Sequence, residues 1–438
     1  MVAICFTPPG MSAPAIQPLG TLPIEIYERV IDCIGSNGAG ECGIRAMRKA
    51  LCSCALTCQA WLPRSRVLLY QSVTLYSPRA YACNQDVVRR LTGTILASSF
   101  VAGLVEHLTV SEASASKSGI ASVLPILLVG RLPRLHTFTI QETSLVVSAA
   151  FCHSISRFPA LTTLSLATVM LANVAALRRL LVALPKLRDL KFDNVFWQTV
   201  GVWRDTTGQY TRQMPRVRRL SMIGGQVVGP ATWALVEFLA PHVEQLVFSD
   251  WNGFELLAVD RKDDRLRFDR LASLTLRAQP RPLVRGLDDF LSKSRADQLR
   301  VVILSSRMML KSRSDLPTMH RRLLRDSGML ERVVVDAGLA RLRRVTIVAE
   351  VWDLSGRVVE RLEEEMPAVV GECRGKLGSL HRRGLLKVAG ATLVDDRNDE
   401  TWVWVGPDEG THAAPACTRQ YGVPLLDAIV NVLDTALL

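Results

Sequence analysis

A short apolar motif recurs nine times between residues 104 and 347, and it limits the possible folds more than any other feature of the chain. Its shared form is apolar-Pro-x-Leu-x-x-Leu-x-Leu, as in LPKLRDLKF at 184–192. The separations between successive anchors, the residues at the first Leu position, are 30, 26, 26, 30, 26, 28, 28 and 43. Such self-similarity is typical of arrays in which one unit cannot cover its own apolar face. The anchors are Val105, Leu135, Leu161, Leu187, Val217, Val243, Leu271, Leu299 and Leu342.

The Leu-x-x-Leu-x-Leu core and its spacing resemble leucine-rich repeats. The resemblance implies one short strand per unit, with alternating apolar residues pointing inward. A helix such as NVAALRRLLVAL at 173–184 would form the return segment. The Asn or Cys that the family carries after the core is mostly missing, and Asn194 is the nearest example. We therefore expect an irregular α/β repeat array over 77–350, stacked into a curved solenoid.

The N-terminal region contains a second pattern, LPIEIYERVIDCI at 22–34. Pro23 suits the first turn of a helix, where its missing N–H is no loss, and Thr21 is a plausible cap. The Gly-rich stretch 35–43 cannot continue this helix. A second helix is expected over about 44–60, stopped by Pro63, and a third in RSRVLLYQSV. The apolar face of the first helix comprises Ile26, Tyr27, Val30, Ile31 and Ile34.

These segments resemble the F-box, in a style similar to fungal F-box proteins. The matching positions are Leu22, Pro23, Glu25, Ile26, Val30, Ile31 and Ile34, followed by Leu56, Cys58, Trp61, Leu69, Tyr70, Val73 and Leu75. In that family a three-helix unit packs on the Skp adaptor of a cullin–RING ubiquitin ligase. The resemblance therefore implies an adaptor-binding surface formed by Leu22, Pro23, Ile26, Val30, Ile31, Ile34, Leu56, Cys58 and Trp61.

The chain also departs from the family pattern. The second helix opens with GIRAMRKAL rather than an acidic residue and Leu, and Thr57-Cys58-Gln59 replaces the usual Val-Cys-Arg. These changes keep the apolar pattern. A unit of this size has difficulty burying a core alone, so a partner helix can complete its apolar faces. A plain three-helix start without a partner is the alternative.

Basic residues are concentrated in 281–345, which holds 15 Lys/Arg against 7 Asp/Glu, a surplus of 8 within a total net charge of +12. The long gap before the last anchor carries much of this surplus. Such a region can bind nucleic acid, acidic protein or acidic lipid, and a solvated basic face is the simpler interpretation. Phe290 is its only aromatic residue, so base stacking is poorly supported and nucleic acid is not favoured as a partner.

No segment indicates membrane insertion or secretion. Residues 158–177 lack charge for about the length of a membrane span, but the repeat predicts a strand, a loop and a helix there. The N-terminal MVAICFTPPGMSAPA has no Lys or Arg and no long apolar run, which makes a poor secretory signal. We expect a cytoplasmic or nuclear protein with reduced cysteines and no membrane partner.

The sequence contains no recognisable catalytic motif. GSNGAG lacks a preceding strand and a following Lys-Ser/Thr, so it is not a phosphate loop. Cys52, Cys54 and Cys58 could form part of a zinc site with Cys42, but no paired Cys-x-x-Cys is present. We predict that the chain is not an enzyme and binds no cofactor or metal.

The sequence thus predicts an N-terminal three-helix F-box followed by an irregular leucine-rich-repeat solenoid. The expected regions are a flexible N-terminus (1–20), the F-box-like unit (21–76), the repeats (77–350) and a capping region (351–438). The expected function is substrate recognition in an SCF-type ubiquitin ligase, with a Skp adaptor, and through it a cullin, as partners and an unidentified target protein on the repeats. The alternatives are a repeat scaffold without a ubiquitin role and a nucleic-acid binder using the basic region.

Overall fold

Three helices open the part of the chain that the structure describes: α1 (Ile24–Ser36), α2 (Gly40–Thr57) and α3 (Leu62–Gln71). They pack on one another in all three pairs. The structure is a computed structural model, and it describes residues 23–36, 40–77, 84–112, 119–199, 215–224, 230–249, 266–278, 280–309, 327–336, 339–353, 368, 370–396 and 399–405.

A 12-stranded sheet forms the rest of the architecture, so the chain is an α/β protein with a large parallel sheet. Neighbouring strands follow chain order, every neighbouring pair is parallel except the last, and most connections pass through a helix. The strands of this sheet are β1 (Ser72–Ser77), β2 (His107–Glu112), β3 (Thr137–Gln141), β5 (Thr163–Ala167), β7 (Asp189–Asp193), β9 (Arg219–Ile223), β10 (Gln245–Ser249), β12 (Ser273–Ala278), β14 (Val301–Met309), β15 (Arg344–Asp353), β16 (Leu386–Asp396) and β17 (Asp399–Val405).

Short strands beyond the ends of the main ones form two smaller sheets. One contains β4 (Ser144–Leu145), β6 (Met170–Leu171) and β8 (Phe196–Trp197), and the other pairs β11 (Leu266–Arg267) with β13 (Ser294–Arg295). The helices after α3 are α4 (Asn84–Ala97), α5 (Ser99–Ala102), α6 (Ile120–Leu127), α7 (Ala149–Ile155), α8 (Val174–Val182), α9 (Pro230–Leu239), α10 (Pro280–Lys293), α11 (Ser327–Asp336) and α12 (Gly378–Arg382).

The register of the sheet places equivalent motif residues side by side. Leu164 of β5 pairs with Phe138 of β3 and with Leu190 of β7, and Leu166 two residues later pairs with Ile140 and Phe192. Because side chains alternate across a strand, both rows face the helices and are buried in one continuous core. All nine anchors are also buried. The pattern in the sequence therefore predicted the strand positions and the core correctly.

The backbone conformation just after the strands also repeats from unit to unit. The residue that follows β3, β5, β7 and β9 has a positive φ in each case, namely Glu142, Thr168, Asn194 and Gly224. Its N–H donates to the last residue of the neighbouring strand, as in Asn194 N to the Ile223 carbonyl at 2.8 Å. The turn redirects the chain toward the short strands, and helices such as α8 then begin at a side-chain cap, Asn173.

Several predicted boundaries were wrong. The second helix begins at Gly40, within the stretch expected to be loop, and it ends at Thr57. Pro63 does not stop it but lies in the first turn of α3, where proline is tolerated. Within the expected capping region, β16 continues the parallel sheet and β17 adds an antiparallel edge.

The strand, loop and helix predicted over 158–177 and the helix predicted at 173–184 are confirmed, since β5, β6 and α8 lie there. In the part of the chain that the structure describes, no helix is both long and apolar enough to cross a membrane. The expected flexible N-terminus (1–20), residues 310–326 of the long gap before the last anchor, and residues 406–438 of the expected capping region lie outside the described residues.

Candidate functional site

The three N-terminal helices enclose a small core of their own. Ile31 of α1 is 1% exposed, and Leu51 and Cys54 of α2 are buried with it. The helices α1 and α3 approach closely at Gly35, where a Cβ would lie 2.8 Å from Cδ1 of Leu68. The helices α1 and α3 are therefore closely packed at this end of α1.

Polar and aromatic contacts fix the same helices to one another. The guanidinium of Arg64 in α3 donates two hydrogen bonds to the carboxylate of Asp32 in α1, at 2.6 and 2.8 Å. The rings of Tyr27 and Trp61 lie with their centroids 5.7 Å apart. Because two charge-assisted hydrogen bonds and a ring contact add orientation to the small core, α1 and α3 are held in a defined arrangement.

An apolar surface remains exposed on this unit. Ile26 and Val30 occupy adjacent turns on the outer side of α1 and are 43% and 47% exposed, and Leu56 near the end of α2 is 88% exposed. Ile24 is exposed as well. We call Ile24, Ile26, Val30 and Leu56 the N-terminal apolar surface. Large apolar side chains left exposed on a small helical unit are a feature of protein-binding sites.

The residues predicted to bind an adaptor differ in their exposure. Pro23, Ile26, Val30, Leu56 and Cys58 are exposed, whereas Ile34 and Trp61 are half-buried. Ile31 lies in the core of the unit, so its side chain holds the helices together and is not available for contact with a partner. Leu22 lies outside the described residues.

The open face of the large sheet, opposite the apolar core, is polar in its first half. Thr109, Thr139, Ser165 and Lys191 occupy the same row on successive strands. Two residues earlier on each strand, Thr163, Asp189 and Arg219 form a second row on the same face. There the guanidinium of Arg219 donates to both carboxylate oxygens of Asp189, at 2.5 and 2.7 Å. Thr163 donates to the same carboxylate from the neighbouring strand at 3.1 Å. This face therefore offers hydroxyl, ammonium and charged groups on rigid strands.

Farther along the same face, three hydroxyl side chains are buried without a hydrogen-bond partner among the residues that the structure describes. Ser221 of β9, Ser249 of β10 and Thr346 of β15 have such hydroxyls. A buried polar group normally finds water or another polar group, so these positions are suited to bound water.

Titratable groups do not converge on a catalytic arrangement among the described residues. Burial lowers the pKa of His107 and of His242, and for His242 the nearby Arg270 and Arg216 add to the effect. Burial raises the pKa of the Cys373 thiol to about 12. Within the described segments no group of three or more His, Cys, Asp or Glu side chains could hold a metal ion. The zinc site considered from the sequence also includes Cys42, whose side chain is not among those that the structure describes.

Two features of the site were missed by the sequence-based prediction. Ile24 was not assigned to the docking surface, although its position next to Pro23 on an apolar helix could have suggested it. The exposed apolar residues of α6 lie between two copies of the motif and were not assigned to any site. Their signal was present, because residues 118–130 contain no charge and are apolar on every side of the helix.

The fold is that of an α/β protein with a large parallel sheet, and its N-terminal helices carry exposed apolar side chains. Comparison with known proteins adds no family: no family model matches the chain, and no curated protein matches its sequence.

Proposed function

We propose that the chain is the substrate-recognition subunit of an SCF-type cullin–RING ubiquitin ligase. In this proposal α1, α2 and α3 form an F-box that docks on a Skp adaptor, and the repeats hold a target protein. The observation that carries the proposal is the N-terminal apolar surface, Ile24, Ile26, Val30 and Leu56, on a compact three-helix unit. Three of these four residues, Ile26, Val30 and Leu56, are positions that the F-box resemblance assigns to contact with an adaptor, and Ile24 is next to a fourth, Pro23.

The arrangement of the sheet supports the second part of the proposal. Strands in chain order, a period near 28 residues and a buried Leu or Val anchor in each unit favour an irregular leucine-rich-repeat solenoid. Such arrays bind proteins through the side chains that alternate with the core residues on their strands. The polar row from Thr109 to Lys191 and the Asp189–Arg219 pair occupy those positions.

The chain would contribute proximity rather than chemistry. Holding a target near a ubiquitin-charged enzyme turns an encounter between separate molecules into a local one. The proposal places the protein in the cytoplasm or nucleus, with a cullin as an indirect partner and no cofactor.

The decisive experiment measures binding of the purified chain to the Skp adaptor of the source organism. The test variant is Ile26→Ser/Val30→Ser/Leu56→Ser. Full burial of each such side chain contributes about 1.5–3 kcal/mol, and the exposed fractions of the three leave about 2.7–5.3 kcal/mol in total for a partner. The variant should therefore weaken binding by roughly a hundredfold or more. Its circular dichroism should match the wild type, because the three side chains are not part of the core.

A matched control is Val335→Ser, which changes an exposed apolar residue on α11, away from the surface. This control should bind the adaptor as the wild type does. If the wild type does not bind the adaptor, the ligase assignment is wrong, and a repeat scaffold without a ubiquitin role becomes the better description.

A further inference from the structure

A second apolar surface lies on the helix side of the first repeats, away from α1 to α3. Helix α6 has the sequence IASVLPIL, which is apolar on every side. Its inner face buries Ala121, Leu124 and Pro125, while Val123, Ile126 and Leu127 point outward and are exposed. A helix that is apolar all round is normally covered on all sides. The outer face of α6 is therefore unusual for a surface helix.

Neighbouring residues enlarge this exposed area. Val129 follows α6, and Val146, 64% exposed, lies beside it, since the Val146 N–H donates to the hydroxyl of Ser122 at 3.0 Å. We call Val123, Ile126, Leu127, Val129 and Val146 the α6 surface. Leu96 of α4 and Phe100 of α5 are exposed apolar residues of the helices that precede it.

A buried carboxylate holds α6 in place. Glu112 at the end of β2 accepts hydrogen bonds from the Ala121 N–H at 2.6 Å and from the Thr143 hydroxyl at 2.7 Å. It therefore ties the first turn of α6 to the large sheet and to the segment before β4. The α6 surface is preorganised, so a partner would not have to order it on binding.

Three arginines border the α6 surface. Arg131 and Arg134 lie in the turn after α6, and Arg157 lies in the equivalent turn after α7, which packs against α6. All three are exposed, and none has an ion-pair partner among the described residues. Residues 118–158 contain a single carboxylate, that of Glu142. Glu142 follows β3, whereas Arg131 and Arg134 precede it, so the carboxylate lies at the other end of that strand.

We propose that the α6 surface binds an amphipathic helix of a partner protein whose polar face is acidic. The apolar stripe of such a helix would cover Val123, Ile126 and Leu127 in the way that helices dock in apolar grooves. Its carboxylates would pair with Arg131, Arg134 and Arg157, which suit bidentate contacts. This surface is separate from the N-terminal apolar surface, so the proposal stands independently of adaptor docking.

Charge and composition favour this partner over the others. A second copy of the chain would bring three further arginines against the same border, and like charges would oppose association. Nucleic acid would use the arginines but not the apolar residues, and no aromatic side chain lies in the α6 surface for stacking. A lipid surface would be expected to meet lysines and tryptophans, and the α6 surface and its border contain neither.

The test is a selection from a displayed library of amphipathic helical peptides, with apolar residues fixed at i, i+3, i+4 and i+7 and the polar positions randomised. The full-length wild type is the bait, and binders are depleted on Ile126→Ser/Leu127→Ser. We expect the surviving peptides to be rich in Asp and Glu on the polar face. Enrichment of neutral or basic peptides, or no enrichment, would overturn the proposal.

A selected peptide then gives a charge-swap test by fluorescence anisotropy. Arg131→Glu/Arg157→Glu should weaken binding by about tenfold or more, and a peptide with Lys in place of its acidic residues should recover part of that loss. Arg285→Glu, an exposed charge reversal on α10, should have no effect. Equal binding by the reversed variant would contradict the proposal. So would binding to phosphatidylserine vesicles without peptide binding, or dimerisation that Ile126→Ser/Leu127→Ser abolishes.

Discussion

Gly224 offers a sharp test of the repeat geometry, because it occupies the left-handed turn position that other residues fill in earlier units. Its φ is +86°, and an added Cβ would lie 2.0 Å from Oδ1 and 2.6 Å from Cγ of Asn194 in the preceding unit. Gly224→Ala should therefore destabilise the protein for two reasons. The left-handed conformation costs a residue with a Cβ about 1–2 kcal/mol.

The second reason is that the Asn194 side chain has to move. Its Nδ2 donates to Asp193 Oδ1 at 3.1 Å, and losing such a bond costs about 0.5–1.5 kcal/mol. We therefore expect Gly224→Ala to lower the free energy of unfolding by about 1.5–3.5 kcal/mol. In an Asn194→Gly background the steric part disappears, so the same substitution should cost only about 1–2 kcal/mol.

The assay is urea unfolding, followed by circular dichroism, of the wild type, Gly224→Ala, Asn194→Gly and the double variant. The dependence of the unfolding free energy on urea concentration should be the same for all four, and this is checked because repeat arrays can lose cooperativity. Gly93→Ala is the control: this glycine lies within α4, an added Cβ meets nothing within 4 Å, and alanine should stabilise by about 0.5–1 kcal/mol. The reasoning fails if Gly224→Ala is neutral, or if its cost is the same in both Asn194 backgrounds.

Three further predictions concern the helical unit and the buried titratable groups. Ile31→Ala should lower the unfolding free energy by about 2–5 kcal/mol because it leaves a cavity, whereas Leu56→Ala should change it by less than about 0.5 kcal/mol; urea titration would compare them. Cys373, buried and with its thiol pKa raised to about 12, should resist iodoacetamide at pH 8 in the folded protein, while the exposed Cys58 is alkylated; mass spectrometry of the digest reports both. The pKa of His242 is lowered in the folded protein, so protonation of its imidazole is less favourable in the folded than in the unfolded chain. Folding stability should therefore fall as the pH drops below the ordinary His pKa of 6.5. His242→Gln should reduce the loss of thermal stability measured between pH 7.5 and pH 5.5.

The strands were predictable because their signal is redundant. Each unit supplies an anchor and two alternating core residues, and the same pattern returns nine times. A misplaced single unit would have been corrected by its neighbours. The strand β16 carries no such motif, so its addition to the sheet could not be foreseen. It joins because β15 otherwise leaves a row of unpaired N–H and carbonyl groups at the edge.

The N-terminal helices were predicted less completely, because their signal is local. Ile26, Val30 and Ile31 are all apolar at helical spacing, and the sequence gives no means of telling the covered residue from the exposed ones. That distinction depends on where α3 packs, which the contacts of Arg64 with Asp32 and of Leu68 with Gly35 decide. Tertiary packing of this kind is not encoded in the periodicity of one helix.

The junction between the helical unit and the sheet bears on how the proposed ligase subunit would work. Helix α3 ends at Gln71 and β1 begins at the next residue, without a linker. The Glu106 N–H donates to the Gln71 carbonyl at 2.9 Å, and the Gln71 side chain donates to the Glu106 carboxylate at 2.9 Å. A flexible linker would raise only the local concentration of a target, whereas a rigid junction also fixes its orientation. A target held on these strands would therefore be presented to an adaptor on α1 and α2 in one geometry, so the lysines that receive ubiquitin would be selected by position.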